Sequence, residues 1–374
     1  MTLTAATSLR IAVVSHLKYP IAEPFPGGLE MYTHMLARLL KARGHDVTLF
    51  ASERSDAALN LRTYGPPTGT PTDDREAEAT EFAEHRAYDA MMDDVAAGGF
   101  DIVHNNALHY LPLTAARRVK APMLTVFHTP PFMELENGVL ECTRPDMRFV
   151  AVSQAVKAMW KDVVTVDEVI CNGIDLDLFA ARTGAPAHPA AHPGTGPHAI
   201  WSGRIVPEKG TDLAIRAARR AGIPLRFAGP ISNLAFWHEK IVPLLGEDVT
   251  YLGHLNHREL AVEVARASVA LITPRFDEPY GLVVAEALAC GTPIAGFARG
   301  ALPELTNEKT GCLAPPDDVD ALADCIPRAA ALSRAACRAR AAANCDMHRM
   351  VDHYEALYHR EIARAAAAGA MAAR

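Results

Sequence analysis

Short, mainly apolar runs recur along the chain in two series. The first occupies 10–15, 46–51, 101–104, 123–127 and 148–152. Runs this short and this apolar suit strands buried on both faces. Between them the spacing changes to that of amphipathic helices, at 30–43, closed by Gly44, and in the charged stretch 73–97. The second series lies at 199–203, 225–229, 249–253, 269–273, 293–297 and 311–313, with helical spacing at 213–220 and 282–290. Strands alternating with helices predict an α/β fold built on doubly wound parallel sheets, one for each series.

The two series part after Phe179. Residues 185–198 hold Pro186, Pro189, Pro193, Pro197 and three histidines without apolar period, so they read as a flexible connection and not a metal cage. The expected organisation is a first Rossmann-like domain over 1–180, a linker over 181–198 and a second such domain over 199–345. A helical tail over 346–374 can return to the first domain, and its Ala-rich end at 364–374 reads as a fraying helix or a disordered tail. A length of 374 residues is enough for two cores. Two such domains predict a cleft between them, with ligands at the carboxyl ends of the strands.

Candidate chemistry sits at those strand ends. Glu278 and Glu286, with seven residues between them, span a strand–loop–helix junction. Gly281 lets backbone approach a ligand closely, and the amides of Leu282 and Val283 are first-turn donors without helical partners. An anion site flanked by two carboxylates suits a nucleotide sugar, with its diphosphate in the middle and hydroxyls on either side. After the strand at 199–203, Arg204 and Lys209 lie in a glycine-bounded loop where a fork and a point charge can converge on one diphosphate. Gly27 and Gly28 open the first helix and offer amides to a phosphate, although their spacing is not that of a dinucleotide fingerprint. His128 follows the strand at 123–127. Asp175-x-Asp177 follows a short strand at 168–170 and reads as a turn, with Asn172-Gly173 supplying positive φ, and not as a metal site.

Composition narrows the partners. A net charge of −7 argues against nucleic acid, while leaving room for a local basic patch facing phosphate or an anionic membrane. The basic clusters at 41–43, 117–120 and 334–340 read as solvated helix faces. Seven cysteines without a C-x-x-C pattern read as reduced thiols, with neither a disulfide framework nor a zinc site. The apolar stretch at 11–14 is too short for a signal peptide, and the tract 281–298 carries Glu286 and Pro293, so it is no membrane span. A soluble, cytoplasmic protein is expected.

The Glu-x7-Glu element, with its intervening Pro279-Tyr280-Gly281 and the following Ala287-Leu288-Ala289-Cys290-Gly291-Thr292-Pro293, resembles the signature of the family-4 retaining glycosyltransferases, which have the GT-B fold. Residues 203–210 and 172–179 resemble further elements of that family, and the resemblance runs from Gly27 to about Leu313. It does not extend to the Pro/His-rich linker or to 55–78, which can shape an acceptor site. The resemblance implies transfer of a hexosyl group from a nucleotide-diphosphate sugar, UDP- or GDP-linked, to a hydroxyl acceptor, without metal or other cofactor. It implies that Gly27, Gly28, Arg204, Lys209, Glu278, Tyr280, Gly281, Leu282, Val283 and Glu286 bind the donor. Glu286 would hold the ribose, Glu278 a sugar hydroxyl, and Arg204 and Lys209 the departing diphosphate. His128 would stabilise charge developing near the sugar and leaving phosphate. The rivals are a sugar-nucleotide epimerase or hydrolase of the same fold, and a catalytically silent nucleotide-sugar binding subunit.

Overall fold

Every apolar run of the two series forms a strand in the computed structural model, which describes residues 8–180 and 196–372. The chain divides into two compact units, one made of 1–170 with 348–374 and the other of 171–347. Most of the expected linker, 181–195, lies outside the described residues.

The first unit holds β1 (Arg10–Val14), β2 (Asp46–Ala51), β3 (Arg62–Thr63), β4 (Ile102–Asn105), β5 (Met123–Phe127), β6 (Arg148–Ala151) and β7 (Glu168–Val169). They form one parallel sheet in the order β3-β2-β1-β4-β5-β6-β7. The central strands β1, β4 and β5 are buried almost throughout, the buried polar residues being His104, Asn105 and Thr125. Edge strand β3 consists of two exposed residues, too short and polar to register in the hydrophobic pattern.

The second unit holds β8 (Ala199–Ser202), β9 (Leu225–Ala228), β10 (Val249–Tyr251), β11 (Val269–Ile272), β12 (Ile294–Phe297) and β13 (Gly311–Ala314), all parallel, in the order β10-β9-β8-β11-β12-β13. Its core joins Trp201, Phe227, Leu271 and Phe297 to Leu213, Ile215 and Ile326 of the covering helices. In both sheets the strand order reverses beside the first strand, between β1 and β4 and between β8 and β11. The crevice outside the carboxyl ends of the strands at such a reversal is the natural ligand position of an open α/β sheet.

The last helix, Met347–Ala372, is continuous through the Ala-rich end expected to fray. It is tied to the first unit by Arg148 Nε on Glu361 Oε2 at 2.8 Å, His45 Nε2 on Glu355 Oε1 at 2.8 Å and Arg43 Nη1 on Asp352 Oδ1 at 2.6 Å.

Two readings of the sequence are corrected. Cys312 on β13 and Cys325 on the helix Val319–Ala330 are joined as a disulfide with Cα atoms 5.3 Å apart, so the seven thiols are not all free. Their separation of 13 residues matches no spacing motif, and packing of that helix on the sheet brings them together. Residues 172–177 form no positive-φ turn. Asp175 caps the short helix Leu176–Phe179 by accepting from the Leu178 amide at 2.9 Å. Gly173 lies outside the left-handed region; a Cβ there would stand 2.3 Å from Met347 Cα. Its glycine answers a close backbone crossing, paired through Ile174 N to Cys345 O at 2.8 Å and Met347 N to Ile174 O at 3.2 Å.

Candidate functional site

In the second unit, the loops leaving β8 and β11 bring the cationic and carboxylate motifs together. Lys209 Nζ lies 2.7 Å from Glu278 Oε2 and 4.8 Å above the Phe276 ring, and both charged side chains keep partial solvent access. The Lys209 loop is fastened to the segment after β11. Thr273 Oγ1 donates to Gly210 O at 2.8 Å, and the Arg275 amide donates to Glu208 O at 2.8 Å. The Arg275 guanidinium grips the buried Asp212 carboxylate with two bonds, at 2.9 and 2.7 Å. Arg204 is exposed and takes part in no ion pair among the described residues.

Gly210 is the pivot of this arrangement. Its φ of +68° places it in the left-handed region at the start of the helix Thr211–Arg220, and an added Cβ would stand 2.0 Å from Thr273 O. Gly210→Ala therefore has to break the loop–strand seam. We expect a loss of more than about 2 kcal/mol in the stability of this unit, measured by urea unfolding, from the strained backbone and the clash together. An unchanged midpoint would show that the loop is free to move away from Thr273.

Gly281, with φ +93°, starts the helix Leu282–Ala289, whose first-turn amides at Leu282 and Val283 have no carbonyl within the helix to receive them. The Ala301 amide holds the Glu278 carbonyl at 2.9 Å from the side. Glu286, a turn into this helix, is 5% exposed, and burial lifts its carboxyl to about 7. Tyr280 is placed differently from its neighbours. Its ring is buried and its hydroxyl lies by Cys345, so it packs the loop from behind, and burial pushes its pKa far above the usual phenol range.

The first unit assembles a second polar cluster where β1, β4 and β5 end. Gly27 caps the helix Gly28–Ala42 in extended conformation, and a Cβ on it would meet Glu30 Oε2 at 2.9 Å. Glu30 Oε1 stands 3.1 Å from Nε2 of His16, and both residues are buried. His128 follows β5 and packs edge-on against the Tyr32 ring, with centroids 4.7 Å apart. Trp160, stacked on Phe127 at 3.9 Å, donates its indole proton to Thr129 O at 2.9 Å and so fixes the segment that carries His128. His128 Nε2 lies 2.9 Å from Asn106 Oδ1, and the same oxygen lies 3.0 Å from His104 Nε2. Burial, reinforced by His104 and His16, lowers the His128 pKa to about 3, so the ring is neutral at pH 7. A cationic imidazole is therefore not what this site presents. His16, Glu30, Asn106 and His104 were not singled out in the sequence, although Glu30 directly follows Gly27-Gly28-Leu29.

Among the described residues, no helix is long and apolar enough to cross a membrane. Residues 26–178 match the family model described as Glycosyltransferase Family 4, and 188–344 match that described as Glycosyl transferases group 1. D-inositol 3-phosphate glycosyltransferase of Mycobacterium avium is 28% identical over 383 residues, covering 87% of this chain and 88% of its own. The enzyme of the same name from Kribbella flavida is 28% identical over 374 residues, covering 85% and 86%. Among solved structures, sucrose-phosphate synthase from Thermosynechococcus elongatus superposes with a TM-score of 0.77 at 24% identity, covering 95% and 99%. Anabaena HepE in complex with UDP-glucose does so with a TM-score of 0.68 at 17% identity, covering 96% and 100%.

Proposed function

Because the chain belongs to the family 4 glycosyltransferases and has their GT-B fold, we propose that it moves a hexosyl group from a nucleoside diphosphate sugar to a hydroxyl acceptor, with retention at the anomeric carbon. The observation that carries this reading is the meeting of Lys209, Glu278 and the helix start at Gly281 beside the β8/β11 reversal. An incoming diphosphate carries more negative charge than the Glu278 carboxylate and would draw Lys209 toward itself, joined by Arg204 and the amides of Leu282 and Val283. Glu278, released from its partner, would then accept from a sugar hydroxyl. Glu286 would take the ribose hydroxyls in a pocket that excludes bulk water. HepE, solved with UDP-glucose, supports a uridine donor as the first to test, and the curated relatives bring D-inositol 3-phosphate to the head of the acceptors.

A thermal-shift panel of UDP, GDP, ADP, dTDP and their sugars tests the donor half of this reading. A nucleotide at about 100 times its dissociation constant adds ~2.7 kcal/mol to stability, a shift that is readily seen. No response to any member would overturn it. Product analysis by NMR then reports the anomeric configuration. Turnover is expected to persist in EDTA, because Arg204 and Lys209 supply the positive charge that a divalent ion would otherwise bring to the diphosphate. Loss in chelator with recovery in manganese or magnesium would mean that the two cations do not suffice.

A further inference from the structure

We propose that Asn106 is a positioning residue of the first unit's polar cluster: its side-chain oxygen receives the Nε2 protons of both His104 and His128, which fixes His128 as the neutral Nε2–H form with Nδ1 bare. Three observations converge on it. Asn106 Oδ1 lies 2.9 Å from His128 Nε2 and 3.0 Å from His104 Nε2, so its two lone pairs are matched by two ring donors. Asn106 Nδ2 lies on the other side, 3.4 Å from Thr33 Oγ1, and its backbone amide is pinned to Val14 O at 2.7 Å. The far nitrogen of His104, Nδ1, lies 2.6 Å from the hydroxyl of the buried Tyr358. With Nε2 protonated, that nitrogen is an acceptor and Tyr358 donates to it.

The directions then run one way, from the Tyr358 hydroxyl to His104 and from each ring to Asn106. The pair of rings is held by residues of two separate elements, the turn after β4 and the last helix. The bare Nδ1 decides what His128 can do. It offers a lone pair, so its partner in a substrate is a hydroxyl proton or developing positive charge on a sugar ring, and not a phosphate oxygen. That assignment of a partner rests on the glycosyl-transfer reading; the protonation pattern does not.

Two-bond proton–nitrogen spectra of the histidine rings, recorded on the full chain at pH 7 without ligand, test the pattern. His104→Gln and His128→Gln provide the assignments. The expected result is a protonated Nε2 and a bare Nδ1 on His128. Asn106→Asp, which keeps acceptor oxygens at this place, should preserve that pattern. A proton on Nδ1 with Nε2 bare, in the natural chain or in the Asp variant, would show that Nε2 does not donate to the oxygen at this place and would overturn the proposal. Asn106→Leu should lower kcat by about 10²-fold while the KM for donor stays within about threefold, as expected for a misaligned group and not for a lost binding contact. Partial recovery in Asn106→Asp would support the oxygen as the active feature, and equal losses in both variants would count against it. If Asn106→Leu does not fold, the spectra of the natural chain and the Asp variant decide. A chain that shows the expected pattern but transfers no sugar would overturn the functional reading and leave Asn106 in its role.

Discussion

Lys209→Ala is expected to lower turnover by ~10²–10³ while the fold stays in place, the size of effect seen when a preorganised charge on a developing anion is removed. The side chain is only partly buried and packs on the Phe276 ring, so its loss leaves no core cavity. Its contribution lies in aim. The loop that carries it is locked by Gly210, Thr273 and the Arg275–Asp212 fork. Removing the ammonium also leaves Glu278 unpaired beside the intended diphosphate, adding repulsion to lost attraction. Lys209→Ala combined with Glu278→Gln should therefore bind nucleoside diphosphate better than Lys209→Ala alone, and still turn over slowly. Single-turnover rates at saturating donor separate the two effects. A rate for Lys209→Ala within about threefold of the natural chain would remove this cation from the reaction.

Glu286→Gln is expected to stabilise the protein at pH 8 and to have little effect on stability near pH 4.5. The carboxyl is raised from its ordinary value of 4.5 to about 7 by burial. A raised carboxyl contributes its full stability below the unfolded value, loses it as pH climbs from about 4.5 toward 7, and is level above that. The full shift corresponds to about 3 kcal/mol at 1.36 kcal/mol per unit. Glutamine, which never ionises, has no such loss, so denaturation curves of the two proteins should diverge between these pH values. Parallel curves would place Glu286 in a wetter environment than the helix Leu282–Ala289 gives it. In the proposed function Glu286 holds the ribose hydroxyls, and Glu286→Ala should then weaken nucleoside diphosphate binding by ~1.5–3 kcal/mol.

What could be read from the sequence follows the range of the interactions involved. The buried strands were legible because both faces of a central parallel strand are apolar, leaving an unbroken run such as 269–272. The Glu278–Glu286 element was legible because strand, loop and helix start are contiguous. Its pairing with Lys209 was not, since the two motifs are read independently and meet only because β8 and β11 are neighbours in the sheet. His104, Asn106 and Tyr358 escaped notice for the same reason: the first pair resembles any polar strand end, and the third lies 254 residues beyond His104. Gly173 was misread because a glycine in a loop suggests a turn, whereas the cause is Met347, far along the chain.

That crossing at Gly173 has a consequence for how the molecule is made. The chain enters the second unit at 171 and leaves it at 347 through two strands of backbone lying side by side. Residues 171–347 are thus a cassette inserted into the first unit, with its ends together, an arrangement that tolerates excision and rejoining. On the ribosome the cassette is complete before its host. The host's sheet emerges first, but the helix that brings Tyr358 behind His104 follows the cassette, so the first unit's sheet must wait for it while the cassette can already be folded.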